Sequence, residues 1–296
     1  MANTLDVATD LGVYRADWAV RLQDRLDKPQ NWKDVADVIF TNSRYYSIPY
    51  MSTEFSASLG TRGTEYTFSD FALTNEALDI GTPYFAPVFI DRADLAQCAY
   101  ANQMEMAERQ AALLNERVET AMLADHAAWT DVGDNGGVVT SGNTTQFTVT
   151  ATNIDDIVRG VRRIIAVANG ESLAKQNGIF FVWRPQDFEA LEQFAQANGY
   201  NLADAALKNG IDRGYFLMGA YHYVSNSHAS GGHVFAGVRK IQKIGILRTT
   251  YGNLVVVDEP AAPAGALSGV GLTARIDYGV KTPTGLATLL YDINVA

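Results

Sequence analysis

The sequence has little of what secreted and membrane proteins need. Its one cysteine, Cys98, cannot form an intramolecular disulfide, which favours a reducing compartment. No apolar run approaches the roughly 20 residues that span a bilayer, and no basic segment followed by an apolar one marks a secretory signal. We therefore expect a protein that is made and folded in the cytosol and has no membrane partner.

Basic residues are also scarce, with 23 Lys+Arg against 33 Asp+Glu, and the formal net charge is −10. At long range, a chain of this charge is repelled by nucleic acids and by anionic membranes. Lysine is missing altogether between Lys33 and Lys175. The hydrophobic fraction of 47% is nevertheless that of a globular protein that buries a core.

The short motifs of common enzyme classes are missing too. The chain has no Walker sequence, no nucleophile elbow and no His-Glu-x-x-His motif. Residues 269–274 fit G-x-G-x-x-A, but they lead into a strand, which is the reverse of the dinucleotide-binding context. We therefore expect no catalytic residue and no cofactor.

Histidines are the best candidate metal ligands. His228 and His233 are close in sequence, but no cysteine and no clear third ligand accompany them, so we expect a loop histidine beside a strand-entry histidine and no metal. A cytosolic enzyme that binds a metal through these two residues and Asp258 is kept as an alternative. His126 and His222 have no evident partner in the sequence.

The first ninety residues predict an extended region. Residues 1–37 are polar and contain one short amphipathic helix at 18–26. Residues 41–90 alternate aromatic and polar positions around a glycine-bearing segment, which predicts a hairpin with a long tip. Because a two-stranded hairpin is marginally stable in water, we expect it to lie on its own domain or on another subunit.

A long helix from about 92 to 128 has apolar residues at spacings of four and three, and we expect it to pack on a sheet. A layered α/β unit should follow. Its predicted elements are a strand at 146–150, a helix at 152–168, a buried strand at 178–183, a helix at 185–198 and short strands at 221–224, 233–235, 244–247 and 254–257. Two strands of period two, 272–280 and 289–295, should share a sheet with 84–90 and 146–150.

Charged residues of the 152–168 helix admit two interpretations. Asp155 and Asp156 could be paired catalytic acids, but their place in the first helical turn favours a role with the helix dipole. Arg159, Arg162 and Arg163 could bind phosphate, but in an acidic chain a solvated polar face is the favoured interpretation.

Aromatic residues of the hairpin also admit two interpretations. Tyr45, Tyr46 and Tyr50 could stack on bases, but Arg44 is the only nearby cation, so we expect contacts between subunits instead. At the hairpin tip, charge pairing with a neighbour is expected from Glu54, Arg62 and Glu65.

Three segments, taken in their order along the chain, carry a resemblance to a known family. Residues 85–91 followed by 94–97 resemble a strand that leads into a long spine helix. Residues 178–185 resemble a corner between a strand and a helix, and 275–279 resemble a strand that returns late in the chain. The chain resembles the major capsid proteins of tailed bacteriophages, which have the Hong Kong 97 type of fold. The resemblance covers essentially the whole sequence.

The resemblance implies an α+β fold in four parts. Residues 1–40 correspond to an N-terminal arm and 41–83 to an extended β-hairpin loop that lies over a neighbouring subunit. Residues 84–150 with 260–296 correspond to a peripheral domain that contains the long spine helix. Residues 151–259 correspond to an axial α/β domain, which meets its copies at fivefold and sixfold centres.

The implied function is that of a shell protein that self-assembles as pentamers and hexamers around phage DNA, which it contacts weakly. A separate scaffolding protein, a portal and decoration proteins are the implied partners, with assembly in the host cytoplasm. Some members crosslink through a loop lysine, which this chain lacks between Lys33 and Lys175, so we expect non-covalent contacts. An encapsulin-like protein compartment that holds protein cargo is the nearest alternative.

Overall fold

Helices and strands alternate along the described part of the chain. The computed structural model describes residues 31–51, 73–91, 100–198, 215–226, 232–251, 254–258 and 269–296. In these ranges the α-helices are α1 (Asn31–Val35), α2 (Tyr100–Ala124), α3 (Ile154–Val167), α4 (Glu171–Asn177) and α5 (Pro185–Ala197). The strands are β1 (Asp37–Thr41), β2 (Tyr45–Met51), β3 (Leu73–Asp79), β4 (Thr82–Asp91), β5 (Thr130–Asp134), β6 (Val139–Ser141), β7 (Ile179–Trp183), β8 (Tyr215–Leu217), β9 (Ala220–Val224), β10 (His233–Val238), β11 (Lys243–Leu247), β12 (Leu254–Asp258), β13 (Gly269–Lys281) and β14 (Leu290–Asn294). Turns of 3-10 helix follow α2 at Asp125–Ala128 and β13 at Thr284–Leu289.

Strand β13 organises the first sheet, which has five strands among the described residues. One edge of β13 pairs with β4, and its other edge pairs with β12 near its start and with β11 near its end. Strand β1 pairs with β11 in parallel. Ala274, Ile276 and Tyr278 alternate along β13 and are buried, as a strand of period two requires.

Helix α2 packs against this sheet, in contact with β13 and β4. Ala111, Leu114 and Val118 are buried at spacings of three and four, which confirms the predicted apolar stripe where side chains are described. The helix has 25 residues and is about 38 Å long. It ends before the predicted residue 128 because Asp125–Ala128 tightens into a 3-10 turn. Residues 92–99 lie outside the described ranges.

The second sheet has seven described strands, in the order β6-β5-β14-β10-β7-β9-β8. Strand β7 is buried at every position because it pairs on both sides and α5 packs against it. Helix α3 contacts β10 and β6, with Ile157, Val161 and Ile165 buried. None of the described helices is long and apolar enough to cross a membrane.

The two C-terminal strands lie in different sheets, so their predicted pairing is wrong. Strand β13 belongs to the five-stranded sheet, whereas β14 lies between β5 and β10. The 3-10 turn at Thr284–Leu289 separates them, and a period of two predicts a buried face without specifying a partner strand. The predicted strands at 244–247 and 254–257 form as β11 and β12, but both pair with β13.

One shorter prediction also fails, and the structure of residues 31–40 bears on a predicted boundary. Within the predicted strand 146–150, only Phe147 forms a single bridge, with Val295. Residues 31–40, which the resemblance places in the arm, belong to the fold, because Trp32 is fully buried and β1 joins a sheet. Helix α1 has five residues, too few to give a periodic signal. The predicted helix at 18–26 lies outside the described residues.

Candidate subunit-contact surface

The hairpin formed by β2 and β3 has one face toward the molecule and one face outward. Tyr45 pairs with Asp79 and Tyr46 pairs with Leu78, and side chains directly opposite each other share a face. Along β3, Leu78 is buried while Ala77 and Asp79 are exposed. The outward face therefore presents Tyr45, Ala77 and Asp79, and the predicted tyrosine cluster is divided between two faces.

The base of the hairpin lies against β11 and β13. Gly245 and Gly279 are register partners on these strands. A Cβ added to Gly279 would lie 2.0 Å from the carbonyl oxygen of Asp79, and one added to Gly245 would lie 2.5 Å from Cδ1 of Ile80. The two glycines thus leave the space in which the chain passes from β3 toward β4.

Polar contacts fix the same end of the hairpin. The Thr284 backbone N–H donates to the Glu76 carboxylate at 3.1 and 3.3 Å, and Nζ of Lys281 lies 3.7 Å from it. Burial acts to raise the pKa of Glu76, but the bonds from Thr284 and the charge of Lys281 outweigh it and lower that pKa. On the outward face, Arg44 Nε donates to Asp79 Oδ1 at 3.2 Å.

The predicted contact residues that are described lie on this hairpin. Tyr45 is 59% exposed and Tyr46 is 39% exposed. The Arg44 guanidinium lies 5.3 Å from the ring centroid of Tyr45, where a cation–π contact orients the ring. Tyr50 is a residue of β2. The other predicted contacts, Glu54, Arg62 and Glu65, lie outside the described residues.

Two further exposed aromatic residues lie on the five-stranded sheet, and the sequence did not single them out. Phe85 of β4 is 52% exposed, with the Arg275 guanidinium 5.3 Å from its ring centroid. Phe40 of β1 is 40% exposed and meets Tyr251 edge to face at 5.1 Å. The alternating pattern of β4 predicted a strand, but the burial of either face depends on which elements cover it.

The arginines of α3 line a cavity of about 610 Å³. Arg162 and Arg163 each donate to a backbone carbonyl of another element, at 2.8 and 2.7 Å. Arg159 donates to Asp155 at 2.6 Å and to Asp156 at 2.7 Å. All three arginines are exposed, as the favoured interpretation of a solvated face expects. Arg162 and Arg163 also connect α3 to neighbouring segments, whereas the contacts of Arg159 lie within its own helix.

His222 has partners that the sequence did not reveal. Trp183 Nε1 donates to His222 Nδ1 at 2.9 Å, so the ring proton is on Nε2, which donates to the Leu217 carbonyl at 3.1 Å. Burial lowers the pKa of His222 to about 4. The ring is therefore neutral at pH 7 and serves as a connector inside the seven-stranded sheet.

His126 also has a partner, because it and His233 both contact Asp292. His228, the predicted companion of His233, lies outside the described residues. Asp258 is a residue of β12 in the five-stranded sheet, whereas His233 begins β10 in the seven-stranded sheet. The predicted metal set of His228, His233 and Asp258 therefore finds no support in the described residues.

Glu119 of α2 is buried, which is unusual for a carboxylate. Its Oε1 accepts from the Ser225 hydroxyl in a short bond and from Asn31 Nδ2 at 3.3 Å, and Asn31 Nδ2 also donates to the Val224 carbonyl at 2.8 Å. Burial is the main cause that raises the pKa of Glu119. This contact connects α1, α2 and the end of β9, and no local motif could have identified it.

No protein-family model matches the sequence, and no curated protein is similar to it at a significant level. Solved structures do match the fold. One from Gordonia phage Cozz has a TM-score of 0.58 and 14% identity over 93% of this chain and 86% of that one. The mature capsid of bacteriophage PhiM1 has a TM-score of 0.56 and 12% identity, with 90% and 86% covered. A virus-like particle from Pyrococcus furiosus has a TM-score of 0.54 and 10% identity, with 95% and 99% covered.

At these identities the matches establish the fold. They cover most of both chains in each case, so the likeness extends over both sheets and the long helix. The chain has the mixed α+β fold of phage capsid subunits, and the fold expected from the resemblance is confirmed.

Proposed function

We propose that this chain is the major capsid protein of a tailed double-stranded DNA bacteriophage, and that its copies assemble into the icosahedral shell around the genome. The fold supports this, since structures titled as a phage capsid and as a virus-like particle share it. The observation that carries the proposal is the hairpin of β2 and β3. In the described residues these two strands pair only with each other, and the outward Tyr45 is 59% exposed.

A hairpin of this kind needs cover from another molecule. Two strands alone are marginally stable in water, and unpaired strand edges are sites where other chains add. The contacts of Glu76 and the glycine pair hold one end of the hairpin on its own subunit. A neighbouring subunit that covers the outward face would supply the remaining burial.

We assign the parts of the shell subunit by sheet. Residues 1–30 form the arm and 41–83 the extended loop. The five-stranded sheet with α2 forms the peripheral domain, and the seven-stranded sheet with α3 and α5 forms the axial domain. This division differs from the sequence boundaries in two ways. The arm ends at residue 30 instead of 40, since β1 joins the five-stranded sheet, and β5, β6, β11, β12 and β14 each lie in the sheet of the other predicted domain.

The partners proposed for the shell rest on its charge and on the resemblance to phage capsid proteins. The net charge of −10 favours weak contacts with packaged DNA, because a lining that attracts phosphate would hold the DNA during packing. A separate scaffolding protein, a portal and decoration proteins complete the proposed assembly, which takes place in the host cytoplasm. The proposal includes no catalytic step.

The alternative is an encapsulin-like compartment, a protein shell that holds protein cargo. The two kinds of shell differ in what they enclose. Particles purified from infected cells should contain DNA protected from nuclease if the chain is a capsid protein. An enclosed enzyme without DNA would support the compartment instead.

Assembly itself is tested by electron microscopy and light scattering of the purified chain at high concentration. We expect closed shells of uniform diameter. A stable monomer or dimer under every condition tested would contradict the proposal.

A further inference from the structure

Three segments that are distant in sequence bring two imidazoles and one carboxylate together. His126 lies in the 3-10 turn after α2, His233 begins β10, and Asp292 is a residue of β14. Strand β14 pairs with β10 on one side and with β5 on the other. Asp292 is therefore held within the sheet, while His126 comes from the end of the long helix.

The two histidines approach the same carboxylate from its two oxygens. Nδ1 of His126 lies 2.8 Å from Oδ2 of Asp292, and Nδ1 of His233 lies 2.9 Å from Oδ1. The ring centroids of the histidines are 4.7 Å apart. The carboxylate is 4% exposed, whereas the histidine side chains are 21% and 24% exposed.

We propose that His126, His233 and Asp292 form a binding site for a divalent transition metal ion of the zinc class. Imidazole nitrogens with one carboxylate are a ligand set that Zn²⁺ and Co²⁺ prefer, whereas Mg²⁺ and Ca²⁺ prefer oxygen ligands alone. The ligand atoms of the three residues all lie within 4.8 Å of one another. The partly exposed rings leave a path for an ion and a fourth position for water.

The distances fit such an ion after a small movement. With metal–ligand bonds of about 2.0 to 2.2 Å, neighbouring ligand atoms of a tetrahedral site lie about 3.3 Å apart. The two nitrogen–oxygen separations would each open by about half an ångström. The ion would take the place of the Nδ1 protons that the histidines donate to the carboxylate, and each neutral ring would then carry its one proton on Nε2. Phe235, whose ring centroid is 5.5 Å from that of His126 and 6.3 Å from that of His233, gives the site an apolar side.

An ion at this site would connect the end of α2 to the middle of the seven-stranded sheet. It would therefore stabilise the arrangement of the spine helix relative to that sheet. This role lies beyond shell formation, and the site can be tested on unassembled chains, so its failure and the failure of the capsid proposal are distinguishable.

The first experiment uses the untagged full-length chain, dialysed against Zn²⁺ or Co²⁺ at pH 7.5. We expect one bound ion per chain and the strong visible absorption of four- or five-coordinate Co²⁺. Thermal unfolding should shift upward by roughly 4 °C when free Zn²⁺ is a hundredfold above its dissociation constant. A chain that retains no ion and shows no visible Co²⁺ band overturns the proposal without any variant.

The second experiment identifies the ligands. His126→Gln, His233→Gln and Asp292→Asn should each weaken Zn²⁺ binding by at least about tenfold, with folding checked by circular dichroism. His222→Gln, on β9, is the control. Its ring bonds to Trp183 and Leu217 and not to Asp292, so Zn²⁺ binding should be unchanged. Normal Zn²⁺ binding in folded His126→Gln would overturn the proposed ligand set.

Discussion

Gly245 and Gly279 are register partners on neighbouring strands, and the base of the hairpin occupies the space that two side chains would otherwise fill. The two close approaches differ in kind. At Gly279 the neighbour is a backbone carbonyl, that of Asp79, whereas at Gly245 the neighbours are the buried side chains of Ile80 and Leu78. The hairpin is thus positioned by the absence of side chains at two points of the sheet beneath it.

Gly279→Ala should therefore displace the hairpin while the rest of the subunit folds. We expect a loss of stability of about 1 to 3 kcal/mol, because the added methyl group meets backbone that cannot move aside alone. Gly245→Ala should cost less, and Ile80→Val in the same chain should recover part of that loss by removing Cδ1. Urea unfolding measures the energies, and hydrogen exchange over β2 and β3 reports the displacement. If hydrogen exchange over β2 and β3 were the same in Gly279→Ala as in the wild type, the close approach at Gly279 would not position the hairpin.

Tyr45→Ser should impair assembly and leave the isolated subunit stable. The side chain is 59% exposed, so its loss should change the free energy of unfolding by no more than about 0.5 kcal/mol. The yield of shells, measured by sedimentation, should fall sharply if a neighbour covers this face. Leu113→Ser is the control, since Leu113 of α2 has the same exposure. An equal loss of shells in both variants would argue against a specific role for the hairpin.

Glu119→Gln should stabilise the subunit at neutral pH. Burial raises the pKa of Glu119 above its ordinary value of 4.5, so the folded chain binds a proton more tightly than the unfolded chain does. The wild type therefore loses stability as the pH rises above 4.5, and the glutamine variant lacks this loss while it keeps an oxygen that accepts from Ser225. Thermal unfolding between pH 4 and 8 measures the difference. Glu192→Gln, at an exposed position of α5, is the control for the removal of one surface charge. Glu116 is unsuitable for this purpose because its charge contributes to the raised pKa of Glu119.

His222 should make the subunit sensitive to acid. Its pKa is lowered from 6.5 to about 4 by burial, so the unfolded chain takes up a proton near pH 6.5 that the folded chain does not accept until about pH 4. The contribution of His222 to stability is therefore fully present above pH 6.5 and falls as the pH approaches 4, by about 3 kcal/mol at most. His222→Gln should flatten this part of the pH profile in denaturant unfolding. A variant with the wild-type profile would assign the acid sensitivity to other groups.

Local patterns predicted the elements more fully than their partners. The spacing of Ala111, Leu114 and Val118 predicted one face of α2, and the apolar run of β7 predicted a strand buried on both sides. Strand β14 was also expected, but its place between β5 and β10 depends on where the 3-10 turn directs the chain. Helix α4 and strand β8 were not predicted, since segments of seven and three residues give little periodic signal.

The sequence predicted part of the contact surface but not the histidine cluster, and the difference has a physical reason. Tyr45 and Tyr46 are part of a local alternation, so the sequence could place them on a hairpin, although only the register places them on different faces. Asp292 lies 166 residues after His126 and 59 after His233. A spacing of that length is set by the packing of separate elements, and a single sequence contains no signal for it.

The position of β13 and β14 has a consequence for folding kinetics. Strand β13 joins β4 to β11 and β12, and β14 joins β5 to β10, so neither sheet is complete until residues 269–294 have left the ribosome. Pairings between segments so far apart in sequence form slowly, because the entropic cost of closing the long loop comes before the stabilising contacts can form. In the proposed shell, a nascent chain that lacks this segment would have neither sheet complete, so a subunit could be incorporated only after residues 269–294 had been made and folded.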